Sequence, residues 1–171
     1  MEDIKVLIDE ETLHNKVQEI AEQIMKDYKG KELTFICILK GSMFFTADLA
    51  KMIENNIELE FIKASSYGEN TVSSGNIRID LDLKNDIAGK DVIVIEDIID
   101  TGHTLEYLLG YLKSKKPKTL KLCVLLSKPE RREVDINIEY LGFDIPNKFV
   151  VGYGLDYNED YRNLPYIGYI E

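Results

Sequence analysis

The stretch from Asp91 to Tyr107 constrains this chain more than any other: Asp91-Val92-Ile93-Val94-Ile95-Glu96-Asp97-Ile98-Ile99-Asp100-Thr101-Gly102-His103-Thr104-Leu105-Glu106-Tyr107. Its first half is a run of β-branched residues, the composition of a strand buried on both faces. Glu96 and Asp97 are expected to close that strand at its carboxyl end. Asp100 opens a turn through Thr101, Gly102, His103 and Thr104, and helix-forming residues follow from Leu105. A strand feeding a helix through a glycine-and-hydroxyl turn is an anion site. Backbone N–H groups at the helix start point outward, and a glycine lets the backbone come close. Glu96 and Asp97 are hard oxygen ligands suited to Mg²⁺ or to sugar hydroxyls. The plainer alternative is a helix cap beside two ordinary surface acids.

The rest of the chain repeats the alternation. Val17, Ile20, Ala21, Ile24, Met25 and Tyr28 recur at helical spacing over residues 12–28, with Gly30 as a terminator. Leu33 to Leu39 reads as a buried strand that runs into Lys40-Gly41-Ser42, and helix resumes over residues 43–53 with Ser42 as its cap. Residues 57–64 form the next strand. The polar segment from Ser65 to Gly75 is either a loose hairpin or a lid, and Ile77, Ile79, Leu81 and Leu83 then alternate as a half-exposed strand. Thr119 to Leu126 is a further buried strand ending in Ser127-Lys128-Pro129, whereas residues 131–139 are charged and irregular, with little to suggest a site. Strands alternating with helices predict an α/β fold with a mostly parallel sheet, in one domain spanning residues 1–171.

Charge and composition narrow the function. The chain has 31 acids against 21 bases, a net charge of −10, which argues against a general nucleic-acid binder. No apolar run approaches the roughly 20 residues of a membrane span. The N-terminus lacks the basic and apolar segments of a signal peptide. Cys37 and Cys123 lie inside apolar strands and read as buried free thiols, which fits a reducing cytoplasm.

The string from Val92 to Thr104 resembles the phosphoribosyl-pyrophosphate signature of type I phosphoribosyltransferases. Three further stretches match the same family in order: Leu39-Lys40-Gly41, the Ser66-Tyr67 loop, and the segment from Lys128 to Arg162 with its Ile145-Pro146-Asn147-Lys148-Phe149-Val150-Val151-Gly152-Tyr153 run. Together they are similar to the bacterial hypoxanthine-guanine phosphoribosyltransferases. That resemblance implies the type I fold, with helices flanking the sheet, a flexible active-site loop, and a small hood formed by the N-terminal residues and about 128–171.

It also implies purine salvage. The 5-phosphoribosyl group would pass from phosphoribosyl pyrophosphate to hypoxanthine or guanine, giving IMP or GMP and pyrophosphate. Asp100 would be the catalytic base or proton partner. Glu96, Asp97, Asp100, Thr101, Gly102, His103 and Thr104 would bind the ribose and its 5′-phosphate. Lys40, Gly41, Arg162, Ser66 and Tyr67 would face pyrophosphate, with an unusual cis peptide expected at Leu39-Lys40. Lys128, Phe149, Val150 and Asp156 would meet the purine. Glu96, Asp97 and Asp156 would hold Mg²⁺. His103 stands where relatives often carry lysine or an apolar residue. A homodimer or homotetramer in the cytoplasm is implied, with no nucleic-acid or membrane partner. Two rivals stay open: xanthine as the preferred base, and a nucleotide- and RNA-binding regulator, which would be expected to show a basic face.

Overall fold

The computed structural model describes residues 3–66 and 76–170. In chain order the elements are β1 (Ile4–Ile8), α1 (Glu10–Asp27), β2 (Leu33–Ile38), α2 (Met43–Met52), β3 (Ile57–Ser66), β4 (Ile77–Leu81), β5 (Asp91–Ile99), α3 (His103–Ser114), β6 (Thr119–Ser127), a 3₁₀ turn (Pro129–Arg131), β7 (Tyr140–Asp144), β8 (Phe149–Val151) and β9 (Ile167–Ile170). Six strands form one sheet in the order β4-β3-β2-β5-β6-β7, and β1, β9 and β8 form a second, antiparallel one. In the large sheet only the β3–β4 pair is antiparallel. The predicted α/β fold with a mostly parallel, helix-flanked sheet is therefore the one observed.

The apolar runs explain the layers. Successive side chains of a strand point to opposite faces, so a strand apolar at every position must be covered twice. On β5, Ile93 and Ile95 pack with Leu13, Val17, Ile20 and Ile24 of α1 and with Phe45 and Leu49 of α2. Val92 and Val94 belong to the opposite face, under Leu105, Leu108 and Leu112 of α3. α1 begins at Asp9, whose carboxylate accepts from the Thr12 N–H at 2.7 Å. The small sheet joins the two ends of the chain, with Ile4 opposite Ile170 and Phe149 opposite Ile170 on the other side. Its Val150 and Ile167, with Leu155 just beyond β8, enter the same core as α1 and α2. That burial seats the small sheet on the α1–α2 side of the large one.

Of the boundaries that differ from the sequence reading, two shape the site. β5 does not close at Glu96 and Asp97. It runs on to Ile99, because residues beyond Ile95 keep their partners on β6: Glu96 opposite Val124, Ile98 opposite Leu126, Ile99 opposite Ser127. α3 starts at His103 rather than Leu105, with Gly102 (φ +93°) as its cap residue. Ser42 precedes α2 but makes no side-chain cap; its hydroxyl donates back to the Ile38 carbonyl at 2.7 Å. No helix among the described residues is long and apolar enough to cross a membrane.

Candidate active site

The carboxyl ends of β5, β2 and β6 bring the expected residues together. At the end of β5 the chain turns through Asp100 and Thr101 into α3, whose first intrahelical bond runs from Glu106 N–H to Gly102 C=O at 2.9 Å. The N–H groups of His103, Thr104 and Leu105 precede it and have no acceptor inside the helix, as at any helix start. They form the positive end of the helix dipole beside the Thr101 and Thr104 hydroxyls.

Lys128 follows β6 directly. It is buried, its backbone N–H donates to Ile99 C=O at 3.0 Å, and its ammonium lies 4.0 Å from the Asp100 carboxylate. A cation and an anion thus stand side by side at the ends of adjacent strands. Phe149, at the start of β8, keeps 52% of its surface exposed and meets Tyr157 edge-on at 5.5 Å, while Val150 beside it is buried.

The end of β2 adds a third strand terminus to the same wall of the large sheet. The Leu39–Lys40 peptide is cis, as the resemblance implied. Gly41 then passes so close to Asp97 that a Cβ there would overlap the carboxylate, so only glycine lets this turn lie against the acidic pair. Gly154, at φ +105°, is pressed against the Gly41 carbonyl oxygen in turn, and a Cβ there would overlap it. This contact docks the C-terminal segment onto the β2 turn. Arg162 is anchored there: one guanidinium nitrogen donates to Gly154 C=O at 2.6 Å, and another lies 3.1 Å from Asp156 and 3.5 Å from Glu159. Lys40 donates to Glu159 at 2.9 Å.

Glu96 and Asp97 keep some contact with solvent but sit deep in surrounding protein. Burial pushes Glu96 well above the ordinary carboxylate range, and the neighbouring Asp97 charge adds to it. Burial raises Asp97 as well, opposed by hydrogen bonds and by the Arg162 charge. The Glu159 carboxyl is held low, chiefly by its bond to Lys40.

The phosphoribosyl transferase domain family matches residues 8–158. The hypoxanthine-guanine phosphoribosyltransferase of Streptococcus thermophilus (strain CNRZ 1066) is 48% identical over 167 residues, which cover 98% of this chain and 93% of that protein. The Bacillus subtilis (strain 168) protein of the same name is 47% identical over the same shares. The chain belongs to the hypoxanthine-guanine phosphoribosyltransferase family. A crystal structure of such an enzyme from Bacillus anthracis matches with a TM-score of 0.95 at 50% identity, covering 99% of this chain and all of that one.

Two parts of this phosphoribosyltransferase depart from the sequence reading. Residues 131–139 showed little to suggest a site, yet Arg131 donates to the Asp100 carboxylate at 2.8 Å and Arg132 to the Asp100 carbonyl at 3.3 Å. Arg132 also reaches the Ser127 hydroxyl at 2.7 Å, and the Glu133 N–H bonds Thr101 C=O at 3.0 Å. His103 contacts the Glu133 carboxylate at 2.6 Å, and the Val134 side chain packs against Gly102. This segment is a strap across the turn into α3. Its available signal was two arginines placed just after a parallel strand, where ligands collect in open sheets. The second departure is Glu159, read only as part of a family run, which stands between Lys40 and Arg162. Ser66 ends β3 and is exposed; Tyr67 and the expected lid through Gly75 lie outside the described residues.

Proposed function

We propose that this phosphoribosyltransferase makes IMP and GMP from hypoxanthine and guanine, with phosphoribosyl pyrophosphate as donor. The observation that carries the reading is the 4.0 Å pairing of Lys128 with Asp100 beside the phosphate turn. A 6-oxopurine carries its O6 and N7 on one edge of the ring. An ammonium donates to O6, and a carboxylate beside it takes or holds a proton at N7. Adenine presents an amino group where Lys128 needs an acceptor, so it is rejected.

Phe149 stacks on the purine, and the Val150 backbone reads its far edge. Thr101 to Thr104 receive the 5′-phosphate on backbone N–H groups and hydroxyls. Lys40, Gly41 and Arg162 receive the pyrophosphate, a guanidinium fork being suited to phosphate oxygens. The purine nitrogen forms its bond to the anomeric carbon while the bond to pyrophosphate breaks, through an oxocarbenium-like ribose. Asp100 accepts the proton the purine gives up. The small sheet with the C-terminal segment acts as the hood over the base, and Ser66 with Tyr67 belongs to a lid that keeps water from the sugar.

The acidic pair fits a metal held jointly with substrate. Among the described residues no group of three or more ligating side chains gathers in one place. Mg²⁺ is commonly bound through one or two carboxylates plus substrate oxygens and water, and Glu96 and Asp97, crowded together with raised proton affinity, offer such a pair. Asp156 is the second position. Bound there, Mg²⁺ supplies positive charge for the departing diphosphate. Two buried free thiols, Cys37 and Cys123, fit a cytoplasmic enzyme. Exposed Met43, Leu59 and Phe61 fit a surface covered in a homodimer or homotetramer.

The test is an absorbance assay with phosphoribosyl pyrophosphate and Mg²⁺, offering hypoxanthine, guanine, xanthine and adenine separately. Turnover with the first two and none with adenine is expected. Turnover with xanthine in preference to both would reassign the base, and no turnover with any would sink the reading.

A further inference from the structure

We propose that Glu159 is an internal stand-in for the diphosphate. Its carboxylate fills the clamp between Lys40 and Arg162 when that clamp is empty and must be displaced by pyrophosphate. The proposal rests on the assignment of Lys40 and Arg162 to pyrophosphate made above.

One oxygen of Glu159 makes both contacts: Oε2 accepts from Lys40 Nζ at 2.9 Å and lies 3.5 Å from Arg162 Nη2. Lys40 and Arg162 come from opposite walls of the site, and a single anionic oxygen bridging an ammonium and a guanidinium is the contact a phosphate oxygen makes. The remaining Arg162 contacts are to Asp156 at 3.1 Å and to Gly154 C=O at 2.6 Å, and both hold the guanidinium from its own segment. Among the described residues, Glu159 alone ties it to Lys40.

The backbone carries a second, independent sign. Tyr157 and Asp160 exchange both N–H···O=C bonds, at 3.1 and 2.9 Å, around a two-residue turn whose central residues, Asn158 and Glu159, have φ of +52° and +69°. This is a hairpin turn that favours Asn followed by Gly, because both central positions are left-handed. The first place holds its preferred residue. The second holds glutamate, which such a backbone disfavours. Its N–H donates to Asp156 Oδ2 at 2.8 Å, which helps fix the turn. A residue kept against local preference, with its side chain aimed at two cations, is tied to the site rather than to the turn.

Exposure gives the device its direction. The Glu159 side chain is 66% exposed, against 19% for Arg162 and 49% for Lys40. The carboxylate reaches in from solvent and is free to swing out, while the cations stay. It gives the Lys40 ammonium an anionic partner and adds a second to Arg162 beside Asp156, and it competes with the diphosphate for both. A single exposed carboxylate is a weak competitor, so its removal tightens pyrophosphate by about 1.5- to fivefold, the range exposed ion pairs support.

The experiment measures inhibition by inorganic pyrophosphate against phosphoribosyl pyrophosphate, at fixed Mg²⁺, in the full chain. Glu159→Gln removes the charge and keeps the shape. Glu159→Gly removes the side chain and suits the turn, so it guards against misfolding. Lys40→Ala, alone and combined with Glu159→Gln, tests the clamp. The expected result is a Ki about 1.5- to fivefold lower in both Glu159 variants, with the donor KM falling alongside and the KM for hypoxanthine unchanged. In Lys40→Ala the Ki should rise, and Glu159→Gln should then gain less. An unchanged or higher Ki in both Glu159 variants, with Lys40→Ala still weakened, overturns the stand-in and leaves the clamp assignment intact. An unchanged Ki in Lys40→Ala overturns the clamp assignment and the stand-in with it.

Discussion

The two walls of this site are built in opposite ways. On the large sheet, Glu96, Asp97, Asp100 and Lys128 are set by β5 and β6, whose apolar residues are covered on both faces. A strand held in that manner has one register, and the polar residues at its end inherit its precision. On the other wall, Asp156, Glu159 and Arg162 are set by turns. Tyr153, Asn158, Glu159 and Tyr161 all take positive φ without being glycine, and ion pairs join Asp156 and Glu159 to Arg162, and Glu159 to Lys40. The first wall suits chemistry, where a small displacement is expensive. The second suits binding and release, where groups must trade partners.

If that division holds, the largest loss comes from the rigid wall. Asp100→Asn keeps the size and the Arg131 neighbour of a half-exposed carboxylate, so folding should survive. Turnover with hypoxanthine should fall by about 10²- to 10⁴-fold, the usual contribution of a positioned proton acceptor. Steady-state kinetics with a melting curve alongside would check it. A loss under tenfold would mean that Asp100 positions the base without taking its proton.

Gly154→Ala probes the seam between the walls. At φ +105° a side chain is strained, and its Cβ would overlap the Gly41 carbonyl oxygen, which is backbone and cannot swing aside. The expected cost is about 1–3 kcal/mol of stability for the backbone alone. The donor KM should rise by up to about 10²-fold as the Lys40–Gly41 turn is pushed out of place. A donor KM within twofold of wild type would show that this wall absorbs the insult, and that the seam does not position the clamp.

The same division explains what the sequence disclosed. The rigid wall was legible because its signals are local. Continuous β-branched runs mean buried strands, and a Gly-Thr turn after such a strand means an anion site. Even there the end of β5 was misplaced by two residues, because the ladder to Leu126 and Ser127 depends on a strand formed later in the chain. The turn-built wall was legible mainly by likeness to a family. Arg131, Arg132 and Glu133 acquire meaning only once β6 delivers them to Asp100 and Thr101, about thirty residues earlier in sequence. Glu159 and Lys40 are 119 residues apart, and no periodicity links them.

The acidic pair should leave a mark on stability against pH. Glu96 and Asp97 hold their protons more tightly in the folded state than their ordinary values of 4.5 and 3.8 imply. The folded state therefore binds more protons, and stability from these groups falls as pH rises from those values through the raised ones. Glu96→Gln removes the larger shift, so the variant should be more stable than wild type at pH 7 and converge with it near pH 4. Subtracting the two curves cancels the opposite trend from Asp9, Asp80, Asp82 and Glu159, whose values are lowered. Mg²⁺ at neutral pH should raise the melting temperature of wild type more than that of the variant. Parallel curves from pH 4 to 8 would show that the pair is not strained by its charge.

The smallest effect serves as the control on the rigid wall. Gly110 lies mid-way along α3, exposed, with nothing within 4 Å of where a Cβ would stand. Alanine there removes backbone freedom from the unfolded chain and adds no clash, for a gain of about 0.5–1 kcal/mol. A helix bound to phosphate acts through its first turn, and Gly110 lies two turns further on, so kcat and donor KM should match wild type. A melting temperature higher by a few degrees with unchanged kinetics would separate the stability of α3 from the function of its N-terminus. A changed donor KM would mean that the helix shifts as a body during turnover, and that the wall taken as rigid moves after all.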